Sequence, residues 1–105
     1  MKYIINQSKL IKLIIGVIDM EIEEYSEHPE SGQLALNDSE GKCLINYVPS
    51  NKELYYDHYL RELTSKVLPI GYDMDIFKEG VKEYFNSQFP DMIVKSVHGA
   101  NIVSF

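Results

Sequence analysis

At 105 residues the chain has the length of one ordinary domain, and its 45% hydrophobic content excludes a chain that stays disordered for want of apolar surface. A lone cysteine, Cys43, excludes an internal disulfide framework and favours a reducing compartment, so packing and hydrogen bonds must hold the fold. The net charge of −6 is unevenly spread: residues 1–18 carry three lysines and no acid, residues 19–40 eight acids and no lysine or arginine, and the rest seven bases against eight acids. A phosphate-backbone binder needs a basic stripe instead, so direct nucleic-acid binding is not expected.

Tyr3, Ile4 and Ile5 read as a short edge strand or an extended lead-in. Asn6 or Ser8 then offers an oxygen to cap a helix starting near Lys9. Along it, Leu10, Ile14, Val17 and Glu21 form one row, and Ile11, Ile15, Ile18, Ile22 and Tyr25 a second. Polar positions are confined to a narrow row of Lys12, Gly16, Asp19 and Glu23, so the apolar face is unusually wide. The β-branched content of Leu10 to Ile18 keeps a strand as the competing reading, although clean two-residue alternation is absent. The apolar run from Leu13 to Ile18 is too short for a membrane helix. It is followed by Asp19, Glu21, Glu23 and Glu24 rather than a cleavage site, so secretion is not expected.

Residues 24–32 are polar and broken by Pro29 and Gly32, which predicts an acidic loop. Gln33 to Asn37 and Lys42 to Val48 predict a hairpin turning through Asp38-Ser39-Glu40-Gly41. Ser50-Asn51-Lys52-Glu53 fits a capping box, predicting a helix that buries Tyr56, Tyr59 or Leu60, Leu63 and Val67 and ends before Pro69. A third helix starts at Asp73 or Asp75, buries Phe77, Val81, Tyr84 and Phe85, and stops before Pro90, with Gly80 weakening it slightly. Met92 to Val97 and Ile102 to Phe105 form one strand or a second hairpin around His98-Gly99-Ala100-Asn101. The expected architecture is a single domain over residues 1–105 of the α+β class, about three helices packed on a small antiparallel sheet, in the order α-ββ-αα-β or α-ββ-αα-ββ.

The opening Lys2-Tyr3-Ile4-Ile5-x-x-Ser8-x-Leu10-x-x-Leu13-Ile14 resembles the start of many short bacteriophage proteins of unassigned activity, especially from marine and other environmental phages. The Glu83-Tyr84-Phe85 segment and Val94-Lys95-Ser96-Val97 follow the same plan. The chain departs from it in Asn6-Gln7, where an acid often precedes the serine, and in a longer tail after Val97. The resemblance implies a phage origin, in the host cytoplasm or the virion, and carries over no catalytic residue.

Chemistry-bearing residues are sparse. His28, His58 and His98 lack metal-ligand spacing, so no metal or other cofactor is expected. Asp57 and His58 are helix neighbours pointing about 100° apart, which makes no dyad. Cys43 reads as a small core residue. Asp73-Met74-Asp75 opens like a calcium loop, but Phe77 and Lys78 occupy positions that need an oxygen ligand and glycine, leaving a helix cap. Of the eight tyrosines, Tyr55, Tyr56 and Tyr59 surround one predicted helix and divide between core and interface.

The wide apolar face makes Ile11, Ile15, Ile18, Ile22 and Tyr25 the candidate interaction surface, and Glu21, Glu23, Glu24, Glu27 and Glu30 the candidate acidic patch. These residues point to a non-enzymatic accessory protein acting through protein–protein contacts, as a minor virion or assembly component with self-association. The alternative is an acidic inhibitor of a host protein, active in host takeover or anti-defence. A small enzyme is the third reading.

Overall fold

The computed structural model of the chain describes residues 7–67 and 74–102. Helices α1 (Gln7–Glu21), α2 (His58–Val67) and α3 (Met74–Gln88) combine with strands β1 (Glu24–Glu27), β2 (Leu34–Asn37), β3 (Cys43–Val48), β4 (Glu53–Asp57) and β5 (Ser96–Ala100). The α+β class holds. The sheet has the order β1-β2-β3-β4-β5 and is mixed rather than wholly antiparallel, because β5 returns parallel to β4 after α2 and α3.

Segment 10–18 is helical, not extended, and buries Leu10, Ile14 and Ile18 at four-residue spacing. The expected hairpin forms. Asp38 Oδ1 accepts from the backbone N–H groups of Glu40 and Lys42, both at 2.9 Å, and Gly41 takes a φ of 83° that a side chain would resist. Other expectations fail. Residues 24–27 of the predicted loop are a strand, held to β2 in the register Tyr25↔Leu36 and Glu27↔Leu34, and only beyond it does the chain turn through Pro29 and Gly32. The capping-box segment does not start a helix. Lys52 adopts a φ of 59°, and Glu53 N–H donates to Asn51 Oδ1 at 3.0 Å, so the chain reverses into β4. The helix starts later, at His58, where Asp57 Oδ2 accepts from Tyr59 N–H at 2.9 Å as its cap.

α3 buries Phe77, Val81, Tyr84 and Phe85 as expected, together with Gly80. The last strand spans 96–100, so Met92 to Lys95 of the predicted strand precede it, and Gly99 and Ala100 belong to β5 and not to a turn. The Tyr3–Ile5 lead-in, the Asn6 cap, the Asp73 helix start and residues 103–105 of the predicted second hairpin lie outside the described residues.

Strand alternation places Leu34, Leu36, Ile45, Tyr47, Leu54 and Tyr56 on one face, where register pairs Leu36 with Ile45 and Tyr47 with Leu54. α3 covers that face. Phe85 stacks on Tyr47 with centroids 4.9 Å apart, and Phe77 meets Tyr56 edge-on at 4.8 Å. α1 lies against α3, and its approach is set by Gly80. A Cβ there would stand 2.6 Å from Ile14 Cγ2 and 3.0 Å from Ile14 Cβ. Ile14 is fully buried and β-branched, so its χ1 cannot swing away. The opposite face carries one residue from each strand in register: Ser26, Ala35, Asn46, Tyr55 and His98.

Asp57 ties two elements at once, capping α2 through one oxygen while Oδ1 accepts from Ile102 N–H at 2.8 Å. Asp57→Ala therefore lowers stability by about 2–4 kcal/mol, through the lost cap and a stranded backbone donor. Gly80→Ala lowers it by about 1–2 kcal/mol, since overpacking outweighs a helix-propensity gain of about 1 kcal/mol. Urea titration of each variant checks both. A double-mutant cycle in the Ile14→Ala background must show the Gly80→Ala penalty vanish.

Candidate functional site

The residues expected to face a partner mostly face the core. Ile18 is fully buried, and Ile15 and Ile22 are half-buried and packed against the core cluster. Ile11 is half-buried and lines a groove of ≈ 260 Å³ with Ser8, Lys12, Ile15 and Glu83. Tyr25 is not on the helix at all. It stands on β1, meets the Phe89 ring edge-on at 5.2 Å and donates to Gln88 Oε1 at 2.8 Å. Docking at Gly80 turns the Leu10–Ile14–Ile18 side of α1 inward and leaves Ile15 and Ile22 half-buried against the core. Left outside are Leu13, 44% exposed, and Met20, 78% exposed, with Lys9 and Gly16 on the same side. Their spacing of 4, 3 and 4 was visible in the sequence. Nothing there said which of several apolar rows would be buried.

The acidic patch keeps its exposure. Glu23, Glu24, Glu27 and Glu30 are exposed, and Glu21 is half-buried at the end of α1. β1 is an edge strand, and its outer side pairs with no strand among the described residues. None of the five glutamates joins an ion pair among those residues. Asp19 and Glu21 also sit at the C-terminal, partially negative end of α1, whose last turn has no basic residue. Such placement costs about 0.3–1 kcal/mol per charge, lessened by solvent. The acids are therefore a cost to α1 and not part of what holds it.

Two groupings of polar side chains invite a catalytic reading. On the open face, Tyr55 Oη and Asn51 Nδ2 both donate to Glu53 Oε2, the latter at 3.1 Å, while His98 Nε2 lies 2.9 Å from Ser96 Oγ and 3.8 Å from Glu53 Oε1. The Tyr55 phenol is held above its ordinary pKa, first by its hydrogen bond to the Glu53 carboxylate. Serine and carboxylate approach the same imidazole nitrogen, so the histidine cannot relay a proton from one to the other as in a serine–histidine–acid triad. Asp57 and His58 form no dyad either, since Asp57 is committed to backbone donors. No group of three or more histidine, cysteine, aspartate or glutamate side chains converges among the described residues. No helix among them is long and apolar enough to cross a membrane.

Cys43 is buried, and its thiol donates to the Ile45 carbonyl at 3.3 Å. Burial first, then the charge of Asp57, pushes its pKa up to about 11. Burial also raises the Tyr84 phenol. Both shifts favour the neutral form in the folded state; the stability from Cys43 is full below pH 9 and is lost as pH rises through about 11, and that from Tyr84 is full below pH 10 and is lost at higher pH still. Urea midpoints measured from neutral to strongly alkaline pH should fall in that window, and Cys43→Ala should make the fall shallower. The native thiol should react with a disulfide reagent at neutral pH only as fast as the chain opens.

The sequence matches no family model, and no match is found among curated proteins or among solved structures.

Proposed function

We propose that this chain is a non-enzymatic accessory protein, phage-encoded as its opening segment implies, that acts by binding another protein. The observation supporting this reading is the exposed acidic edge: Glu23, Glu24, Glu27 and Glu30 flank and occupy an edge strand with no countercharge among the described residues. Uncompensated like charges repel one another, which a basic partner surface would relieve while steering its own approach. The acidic-inhibitor reading thereby gains on the virion reading, whose isoleucine contact row is largely internal. The partner is a host protein with a basic surface, of the kind that normally meets nucleic acid, and the site of action is the host cytoplasm. The chain itself takes no cofactor and binds neither nucleic acid nor membrane in this reading.

Affinity purification of the full chain from infected cells, at low and high salt, tests it. A host protein should be retained at low salt and released at high salt. The triple variant Glu23→Lys/Glu24→Lys/Glu27→Lys should bind that protein roughly tenfold or more weakly. A partner held with no salt dependence and equal affinity for the variant would remove the acidic edge from the function. Recovery of the chain at fixed stoichiometry in purified particles would instead establish a virion component.

A further inference from the structure

α1 carries its charges against its own dipole. Lys9 lies in the first turn and Lys12 in the next, whereas Asp19 and Glu21 occupy the last, with no acid in the first turn and no base in the last. Each end of the helix thus bears the sign that its aligned peptide dipoles disfavour. The same helix has an uncovered side on which Lys9, Leu13, Gly16 and Met20 follow one another, flanked along one margin by exposed Lys12 and Asp19, seven positions apart. Gly16 sits midway, and a Cβ built on it would meet nothing within 4 Å, so the backbone there is open to close approach.

We infer that two copies of this chain associate through their α1 helices, packed antiparallel about a two-fold axis near Gly16. In an antiparallel pair related by such an axis, each margin of one helix faces the same margin of the other. Lys12 then meets Asp19 of the second copy, and Asp19 meets Lys12 of the second copy. Leu13 opposes Met20 of the second copy, and the two Gly16 backbones cross where least side chain separates them. The two helix dipoles lie antiparallel side by side, which brings Lys9 to the second copy's negative helix end and the acids to its positive end. A parallel pair would face this margin with the opposite one, and Lys12 and Asp19 would lose each other as partners. A partner of any other sequence would have to reproduce this charge order, whereas a second copy supplies it by symmetry. The uncovered side is short, and two helices of this length bury less than the roughly 1,200 Å² of a tight complex, so the dimer is weak and concentration-dependent. This association uses α1 and stands apart from the acidic-edge reading, which uses β1.

Sedimentation equilibrium of the full chain over a wide concentration range tests the inference. A monomer–dimer equilibrium should be seen, with dissociation favoured by salt. Lys12→Glu alone and Asp19→Lys alone should each weaken dimerisation roughly tenfold, since each turns two attractive contacts into repulsive ones. The combined variant Lys12→Glu/Asp19→Lys should return to within about threefold of the original, because the reversed pair meets its complement again. Met20→Lys should leave a monomer. All three positions are exposed, and an unchanged urea midpoint confirms that each variant folds. A chain that stays monomeric at every concentration overturns the inference. So does a dimer indifferent to the single reversals, or one that the combined variant fails to restore.

Discussion

The closest contact between two helices governs what this molecule shows to its surroundings. Gly80 lets the backbone of α3 come within a methyl group's width of Ile14, and that approach fixes the rotation of α1 about its own axis. With Ile14 seated, Leu10 and Ile18 fall inward by the helix repeat, Ile15 and Ile22 lean on the core, and Leu13 and Met20 are left in water. Any residue larger than glycine at position 80 would push the helix outward and free it to roll. The identity of the exposed side of α1 is therefore decided on α3, more than sixty positions away in the chain.

That separation explains what the sequence could and could not disclose. α3 and the β2–β3 hairpin were legible because each carries its own evidence: Phe77, Val81, Tyr84 and Phe85 recur at helical spacing, and Asp38 with Gly41 supplies the local chemistry of a turn. Local signals misled at Ser50-Asn51-Lys52-Glu53. There Asn51 competes for the Glu53 N–H, and the alternation of Glu53, Leu54, Tyr55 and Tyr56, half-buried and buried by turns, makes a strand worth more than a helix would be. β1 escaped notice because an edge strand exposed at all four positions has no hydrophobic alternation to detect. It is held by its pairing to β2 and by Tyr25, whose ring meets Phe89 edge-on.

The candidate site was legible to a similar degree. Charge is a surface property that survives folding, so Glu23, Glu24, Glu27 and Glu30 are where composition placed them. Apolar residues are redistributed by packing, and a helix with several greasy rows does not announce which will be covered. Reading the isoleucines as external rested on the width of the apolar face, with no view of what α1 packs against. It has a whole second helix, and the row with the most isoleucines is largely the one consumed.

The parallel seam between β4 and β5 has a temporal meaning. Glu53 finds Ser96 only after about forty intervening residues have been threaded through α2 and α3, and closing so long a loop costs entropy before any ladder bond repays it. The antiparallel strands β1 to β4, each a short reversal from the next, need no such wait. We therefore expect the sheet to assemble as a four-stranded meander to which the final strand is added late, and to come apart in the opposite sequence, with the C-terminal segment the first to lift under mechanical or thermal load.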